Sequence, residues 1–168
     1  MKIETTLFVT FILITVNIFC TPDILDRRCL NCFCQAQTEC DTSFQCLNES
    51  IILCGPYLLG YAFWVDGHKP GRDDSKKDFD NFKRCSKNKA CAEETIQNYM
   101  NEYRKDCNDN NIVDCADYFL IILGGPNSCD DKKFEERLEW LRFLECYLNT
   151  AMNIEEALIS AGLKNIRF

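Results

Sequence analysis

Thirteen cysteines in 168 residues constrain this chain more than any other feature of its sequence. One of them, Cys20, closes an apolar N-terminal run, which leaves twelve in the rest of the chain. An even number of cysteines behind an export signal indicates a disulfide framework, here most simply of six bridges. The twelve are Cys29, Cys32, Cys34, Cys40, Cys46, Cys54, Cys85, Cys91, Cys107, Cys115, Cys129 and Cys146.

Metal binding is the competing explanation for so many cysteines. Cys29 and Cys32 have the spacing of half a zinc site, but no second Cys-x-x-Cys pair completes it. The single histidine, His68, stands beside Lys69-Pro70 and is interpreted as a turn residue. We therefore predict disulfides and no cofactor, with metal binding as the minor alternative.

The N-terminus is typical of a secretory signal peptide. Residues 7–16 carry no charge and are too few to span a bilayer comfortably. We predict a signal peptide over 1–20, cleaved after Cys20 or nearby, in preference to an uncleaved anchor. The mature protein is then secreted and extracellular, without a membrane segment. It would consist of a domain over 21–146 and a helical extension over 147–168.

The net charge of the chain argues against some classes of binding partner. The formal net charge is −7, and an acidic secreted protein is not attracted to nucleic acid or to anionic cell surfaces. We interpret the charged residues as solvated faces that give solubility. Asn48-Glu49-Ser50 is an acceptor sequence for N-glycosylation, so Asn48 is predicted to lie in a surface loop, with its modification left open. The oligomeric state is also left open.

The first half of the chain shows few helical signals longer than two turns. Residues 29–54 are predicted to form short helical pieces and loops tied by disulfides, and 72–80 an exposed loop. From Ala92 the spacing becomes helical, because apolar residues recur at i, i+3, i+4 and i+7 over Ile96, Tyr99, Met100 and Tyr103.

Three further helices are predicted towards the C-terminus. One covers 112–123 and stops at Gly124-Gly125-Pro126. The next begins near Asp130-Asp131, with a buried face of Phe134, Leu138, Leu141 and Cys146, widened by Trp140 and Phe143. The last, over 154–163, is predicted to dock loosely. These patterns indicate a small, mainly α, disulfide-rich fold.

Motifs in a fixed order connect the chain to a known family. They are Cys29-Leu30-x-Cys32-x-Cys34, Cys54-Gly55-x-Tyr57, Phe63-Trp64-Val65-Asp66, Pro70-Gly71, Ile96-Gln97-Asn98-Tyr99-Met100, Cys115-x-Asp117-Tyr118 and Gly124-Gly125-Pro126-Asn127-x-Cys129. With this order and spacing, the chain resembles invertebrate-type (i-type) lysozymes, the group that includes destabilase. The resemblance implies an α+β lysozyme-like fold and hydrolysis of β-1,4 glycosidic bonds, in an antibacterial or digestive role. The implied partner is peptidoglycan or a related β-1,4 glycan.

The resemblance also places the two catalytic carboxyl groups. The family acid is a glutamate within Cys-x-x-Glu-Ser-Gly-Cys, and the matching segment here, Cys34 to Cys40, has Gln37 at that position. The family aspartate, three residues after the next cysteine, falls at Glu49. The reaction needs one protonated and one ionised carboxyl group, and a carboxamide has no proton to give.

Glu39 is the candidate substitute for the missing acid. Two residues along a helix turn the side chain by about 200°, which would point Glu39 away from Gln37. In extended structure the two side chains could share a side. We favour a solvated glutamate over a catalytic one.

Two further departures from the family pattern are informative. Family members commonly carry two more cysteines, at positions that fall on Gly67 and Thr95. We predict that these residues face each other, so that one whole bridge is missing. The family histidine-asparagine pair, connected with an isopeptidase activity in some members, is replaced by Ile122-Leu123, which makes that activity doubtful here.

Tyr57, Phe63 and Trp64 are predicted to form a cleft wall suited to stacking on sugar faces. Core packing is the alternative, weighed equally for Trp64 and favoured for Phe63. Three functions stay open at this point. The chain is a lysozyme homologue with weak or lost activity that binds glycan, an active lysozyme in which Glu39 or Glu49 compensates, or a non-catalytic secreted scaffold or immune protein.

Overall fold

The computed structural model describes residues 24–48 and 51–163. The predicted signal peptide, Glu49 and the side chain of Asn48 lie outside the described residues. The elements in chain order are α1 (Arg27–Thr38), β1 (Cys46–Asn48), β2 (Ile52–Cys54), β3 (Leu59–Gly60), α2 (Tyr61–Asp66), α3 (Asp78–Lys87), α4 (Lys89–Tyr103), α5 (Cys115–Gly124), a 3-10 turn (Lys132–Phe134), α6 (Leu138–Asn149) and α7 (Ile154–Ser160). The predicted mainly α class is confirmed.

Helix α1 is longer than the short pieces predicted for this region. It has twelve residues, and its N-cap is Asp26, whose Oδ1 accepts the Cys29 N–H at 2.7 Å. Its buried face consists of Cys29, Leu30, Cys32, Phe33, Cys34 and Ala36. Buried cysteines thus take the place of the aliphatic residues that usually reveal such a helix.

The three short strands form one antiparallel sheet in the order β1-β2-β3. Cys46 and Cys54 lie directly opposite each other in the β1–β2 ladder, and a disulfide joins them. Gly55 follows with φ +73°, and a Cβ there would lie 1.8 Å from the Ser86 carbonyl oxygen. This close contact requires glycine and fixes the sheet against the C-terminal end of α3.

The larger core is built around packed aromatic rings from three helices. Phe33 of α1, Phe119 of α5 and Phe143 of α6 lie within 6 Å of one another, centroid to centroid. A smaller cluster beside the sheet contains Trp64, Phe82, Cys54 and Cys85. The two clusters divide the molecule into a helical part and a part that carries the sheet.

All twelve predicted cysteines form disulfides, which confirms the six-bridge prediction and excludes Cys29 and Cys32 as zinc ligands. The pairs are Cys29–Cys115, Cys32–Cys146, Cys34–Cys40, Cys46–Cys54, Cys85–Cys91 and Cys107–Cys129. Within the described residues, no helix is long and apolar enough to cross a membrane.

The prediction that Gly67 and Thr95 face each other is confirmed. A Cβ built on Gly67 would lie 2.9 Å from Thr95 Cγ2 and 2.7 Å from the Thr95 carbonyl oxygen. The resemblance to i-type lysozymes implies cysteines at these two positions, and the structure brings the two positions together.

The double substitution Gly67→Cys with Thr95→Cys should therefore restore a bridge. Closing this loop should stabilise the protein by about 3 kcal/mol, less the strain of moving the Thr95 carbonyl aside. Intact mass spectrometry should show two fewer hydrogens than the free dithiol, and thermal unfolding should occur at a higher temperature. Two free thiols in the purified double variant would contradict the assignment, and Gly67→Cys alone should destabilise.

Two helix predictions and one loop prediction need correction. Helix α5 begins at Cys115 rather than at 112, although it ends at Gly124 before Gly125 as predicted. The third predicted helix is a 3-10 turn followed by α6, and its buried face is Trp140, Phe143 and Tyr147. Leu138 and Leu141 are instead 58% and 53% exposed. Helix α3 lies at the end of the predicted loop and beyond it, and the sequence analysis missed it.

The C-terminal helix is anchored rather than loosely docked. Ala157 of α7 belongs to the main core. The side chains of Asn108 and Asn110 donate hydrogen bonds to the Ser160 carbonyl oxygen at 2.7 and 3.0 Å. The loop that presents these amides is held by buried Asp117, whose Oδ1 accepts the Cys107 N–H at 2.7 Å.

Candidate active site

Gln37 lies half-buried in the last turn of α1. The Cys34–Cys40 disulfide closes the end of the helix on one side. Thr38 Oγ1 donates a hydrogen bond to the Pro56 carbonyl oxygen at 2.8 Å, which ties the same turn to the segment after β2. Position 37 is therefore held by two independent constraints where the helical and sheet-bearing parts meet.

A glutamine at this position has defined chemical limits. The carboxamide has the shape of a carboxylic acid, and it can donate and accept hydrogen bonds. It does not titrate, so it cannot transfer a proton to a departing oxygen as a general acid does. The position can orient a ligand, but it cannot protonate one.

Glu39 lies on a different side of the helix end. It is the C-cap of α1 with φ +58°, and its backbone N–H returns to the Gln35 carbonyl oxygen at 3.2 Å. Its exposed side chain lines a depression between α1 and α6, together with Asn31, Gln35, Arg142, Glu145, Cys146 and Asn149. Gln37 does not line this depression, in agreement with the interpretation of Glu39 as a solvated glutamate.

Two of the three predicted stacking residues belong to the core. Tyr57 is 1% exposed and Trp64 is 0% exposed, so neither ring has a free face for a sugar. Trp64 Nε1 donates to the Pro70 carbonyl oxygen at 3.1 Å. The sugar-stacking prediction is therefore wrong for these two residues in this structure, and core packing accounts for both.

The phenol of Tyr57 has a partner that the sequence analysis missed. Its hydroxyl donates to Glu93 Oε1 on α4 at 2.7 Å. Burial, with the hydrogen bond to Glu93, raises the pKa of Tyr57 well above its usual range. Tyr57 is thus a neutral structural donor. The available sequence signal was weak, since Glu93 also forms an i,i+4 pair with Lys89.

Phe63 is the predicted stacking residue that keeps a partly exposed side chain. One face of its ring stacks on Tyr99 at a centroid distance of 3.8 Å and an interplanar angle of 15°. Tyr99 is in turn 4.5 Å from Tyr103, whose side chain is exposed. The three rings form an aromatic row that reaches the surface.

The remaining residues singled out in the sequence have structural roles. His68 has φ +66° in the turn after α2, and its Nε2 lies 3.3 Å from Glu102 Oε1. It is an exposed turn residue, as predicted. Ile122 and Leu123 pack against the main core. No cluster of three or more His, Cys, Asp or Glu side chains suited to a metal ion occurs over 24–48 and 51–163.

The Destabilase family model matches residues 26–146, most of the chain. The protein belongs to the Destabilase family of invertebrate-type lysozymes. Among curated relatives of this family, invertebrate-type lysozyme from Ruditapes philippinarum is 25% identical over 113 residues, which are 67% of this chain and 76% of that protein. Lysozyme 1 from Crassostrea virginica is 26% identical over 114 residues, 67% of this chain. The match spans 55% of the length of the Crassostrea protein.

Solved structures agree on the destabilase-family fold. The lysozyme of Tapes japonica superposes with a TM-score of 0.59 at 24% identity, covering 74% of this chain and 92% of that one. The inhibitor-bound lysozyme from Meretrix lusoria gives a TM-score of 0.58 at 24% identity, with 74% and 92% coverage. The lysozyme-like fold implied by the motifs is thereby confirmed.

Proposed function

We propose that this destabilase-family protein is a secreted lysozyme homologue that binds peptidoglycan or a related β-1,4 glycan but hydrolyses it weakly or not at all. The observation that carries this proposal is Gln37. The frame around the position is intact, from the Cys34–Cys40 bridge to the bond between Thr38 and Pro56. The side chain that must donate the proton is a carboxamide instead of an acid.

The size of the expected loss follows from the chemistry of the reaction. A glycosidase needs a protonated carboxyl group at the leaving oxygen and an ionised one at the sugar carbon. General acid catalysis contributes roughly 10²–10⁴-fold to the rate. The glutamate at position 49 would supply the second carboxylate, so the site would lack its proton donor and keep its anion.

A compensating role for Glu39 has less support. Its side chain is exposed and lines the depression between α1 and α6, away from Gln37. A general acid must lie within hydrogen-bond reach of the oxygen that it protonates, and Glu39 lines a different surface from position 37.

Glu39→Gln should leave any residual hydrolysis unchanged within about twofold, because its side chain lines a depression away from position 37, where a general acid must act. The measurement is the release of reducing sugar from purified peptidoglycan by equal amounts of native and variant protein. A fall of tenfold or more would identify Glu39 as the working acid and reject the proposal in its present form.

Co-sedimentation with insoluble peptidoglycan, run beside a turbidity assay on bacterial cell walls, tests the proposed function. The protein should sediment with the polymer and leave the turbidity unchanged. Lysis at the rate of an active lysozyme would refute the loss of activity. Failure to bind both peptidoglycan and chitin oligomers would refute the proposal of glycan binding. It would favour the alternative of a non-catalytic secreted scaffold or immune protein.

A further inference from the structure

The charge of this protein is distributed unevenly along the chain. Residues 69–89 contain eight Lys or Arg and four Asp, a net charge of +4 within a chain of −7. Helix α3 occupies the second half of this segment. Its buried side carries Asn81, Phe82, Cys85 and Ser86, so its other side faces solvent.

That solvent side is a basic surface. Lys83, Arg84 and Lys87, with Asp80 and Asn88, line a shallow depression of about 510 Å³. We call these five residues the α3 basic face. Positions 80, 83, 84 and 87 share one side of the helix because their spacing is i, i+3, i+4 and i+7. The net charge of the whole chain therefore does not describe this surface.

Arg84 is held in place by neutral groups. Its Nη2 donates hydrogen bonds to the Gly71 carbonyl oxygen and to Asn81 Oδ1. Asn81 is fully buried, and its own side-chain amide donates to the Asp73 carbonyl oxygen at 2.9 Å. Among the described residues no carboxylate lies within 4 Å of the Arg84 guanidinium. The Arg84 guanidinium is thus pre-oriented. It keeps N–H groups that can donate to a ligand, and no carboxylate pairs with it.

The other two cations are only lightly engaged. Lys87 Nζ donates to the neutral Gln45 Oε1 at 3.4 Å. Lys83 Nζ lies 3.5 Å from Asp80 Oδ1 and 4.9 Å above the Phe79 ring. An exposed ion pair of this kind is weak and can be replaced by a stronger anion.

We propose that the α3 basic face binds the phosphate groups of an anionic cell-wall glycopolymer. A pre-oriented arginine flanked by lysines suits phosphate oxygens, which accept two parallel hydrogen bonds from a guanidinium. The acidic remainder of the protein does not prevent this contact, because charges further away than about 8 Å are largely screened at physiological ionic strength.

A polymer fits this face better than a lipid surface does. A helix that lies in a membrane surface combines cations with apolar side chains that are buried in the headgroup region. The residues that line the depression are all polar or charged. The neighbouring exposed ring, Phe79, lies beneath the Lys83 ammonium.

The location of the face connects it to the candidate active site. Lys87 reaches Gln45, which directly precedes β1, and Ser86 contacts Gly55 at the end of β2. An anionic polymer bound here would hold the sheet-bearing part of the protein against the wall. The choice of a cell-wall polymer rests on the proposed function, whereas anion binding by the face does not.

Binding of purified polyglycerol phosphate to the full-length secreted protein tests the proposal, with neutral chitin oligomers as the comparison ligand. Affinity for polyglycerol phosphate should fall steeply as salt rises, since bound phosphates release counterions. Arg84→Gln with Lys87→Gln should weaken binding about 10- to 30-fold, because two cations are removed and each contributes to the binding free energy near an anionic surface. Lys87→Gln alone, which breaks no bond to the backbone, should weaken it about fivefold.

The matched control is Lys132→Gln with Lys133→Gln, which removes two exposed cations from the 3-10 turn. This variant should bind within about twofold of the native protein, because its charges lie outside the α3 basic face. No salt-sensitive binding by the native protein, or equal losses in both double variants, would overturn the proposal. The proposal would also be overturned if the protein bound phosphatidylglycerol vesicles in a salt-sensitive way and the α3 variants abolished that binding without affecting binding to the polymer. Loss of chitin binding with retained polymer binding would instead count against the proposed function alone.

Discussion

Gln37→Glu should convert the protein into an active glycosidase, raising peptidoglycan hydrolysis by about 10²–10⁴-fold. The reason is that the substitution returns a titrating proton to a position that the Cys34–Cys40 bridge and the bond between Thr38 and Pro56 already hold. The gained activity should fall as the pH rises, because the new carboxyl group can donate a proton only while it is protonated. The measurement is reducing-sugar release as a function of pH.

The control for this substitution is Gln35→Glu. Gln35 belongs to the same helix, but it is exposed and lines the depression that also contains Glu39. It adds the same carboxyl group on the wrong side of α1 and should give no activity. Equal activity in both variants, or none in Gln37→Glu with the fold unchanged by circular dichroism, would contradict the assignment of position 37.

Removing the Cys32–Cys146 disulfide by substituting both cysteines with alanine should lower the free energy of unfolding by about 4 kcal/mol. This bridge joins α1 to α6 across 114 residues of sequence, and Cys32 is fully buried. The Cys29–Cys115 bridge stays closed, so the loop that opens is shorter than this separation. Opening it still releases more conformational entropy in the unfolded chain than opening a six-residue loop does. Denaturant unfolding followed by circular dichroism measures the loss.

The Cys85–Cys91 pair provides the comparison, since it spans only six residues of sequence. On the same entropy argument its removal should cost about 2 kcal/mol. If the two losses were equal, loop entropy would not be the source of the stabilisation, and the long bridge would owe its effect to local packing.

The features that the sequence predicts well depend on the number of residues of one type or on the conformation of a single residue. An even number of cysteines permits complete pairing, and all twelve are paired. Gly125 ends α5 with φ +72°, a conformation that glycine adopts without strain. The opposition of Gly67 and Thr95 followed from the absence of a pair of cysteines, which needs no three-dimensional information.

The features that the sequence did not predict depend on partners far away in the chain. Helix α6 has two overlapping apolar stripes with helical spacing, one through Leu138 and Leu141 and one through Trp140 and Phe143. Periodicity alone does not show which of the two stripes is buried. The choice is made by Phe119, whose ring stacks on Phe143 at 4.5 Å and turns Leu138 outward. Trp64 is similar, because its burial depends on an acceptor in the turn at Pro70.

The candidate site also contains features that the sequence predicts and features that only the structure shows. The identity of residue 37 can be read from the sequence once the flanking cysteines are aligned, and the structure adds the constraints that hold it. Glu39 could not be placed from the sequence, since its orientation depends on the left-handed cap that ends α1. The α3 basic face was hidden because a whole-chain charge of −7 averages over it.

The products formed from purified peptidoglycan by the native protein test the central claim most directly. Soluble muropeptides released during a long incubation would be separated and identified by mass spectrometry, between about pH 4 and pH 8, where a carboxylic general acid would act. With Gln37 in the acid position, the native protein should release at least about 100-fold less muropeptide than Gln37→Glu does in the same assay. Efficient release of muropeptides by the native protein would show that another group donates the proton, and would contradict the account.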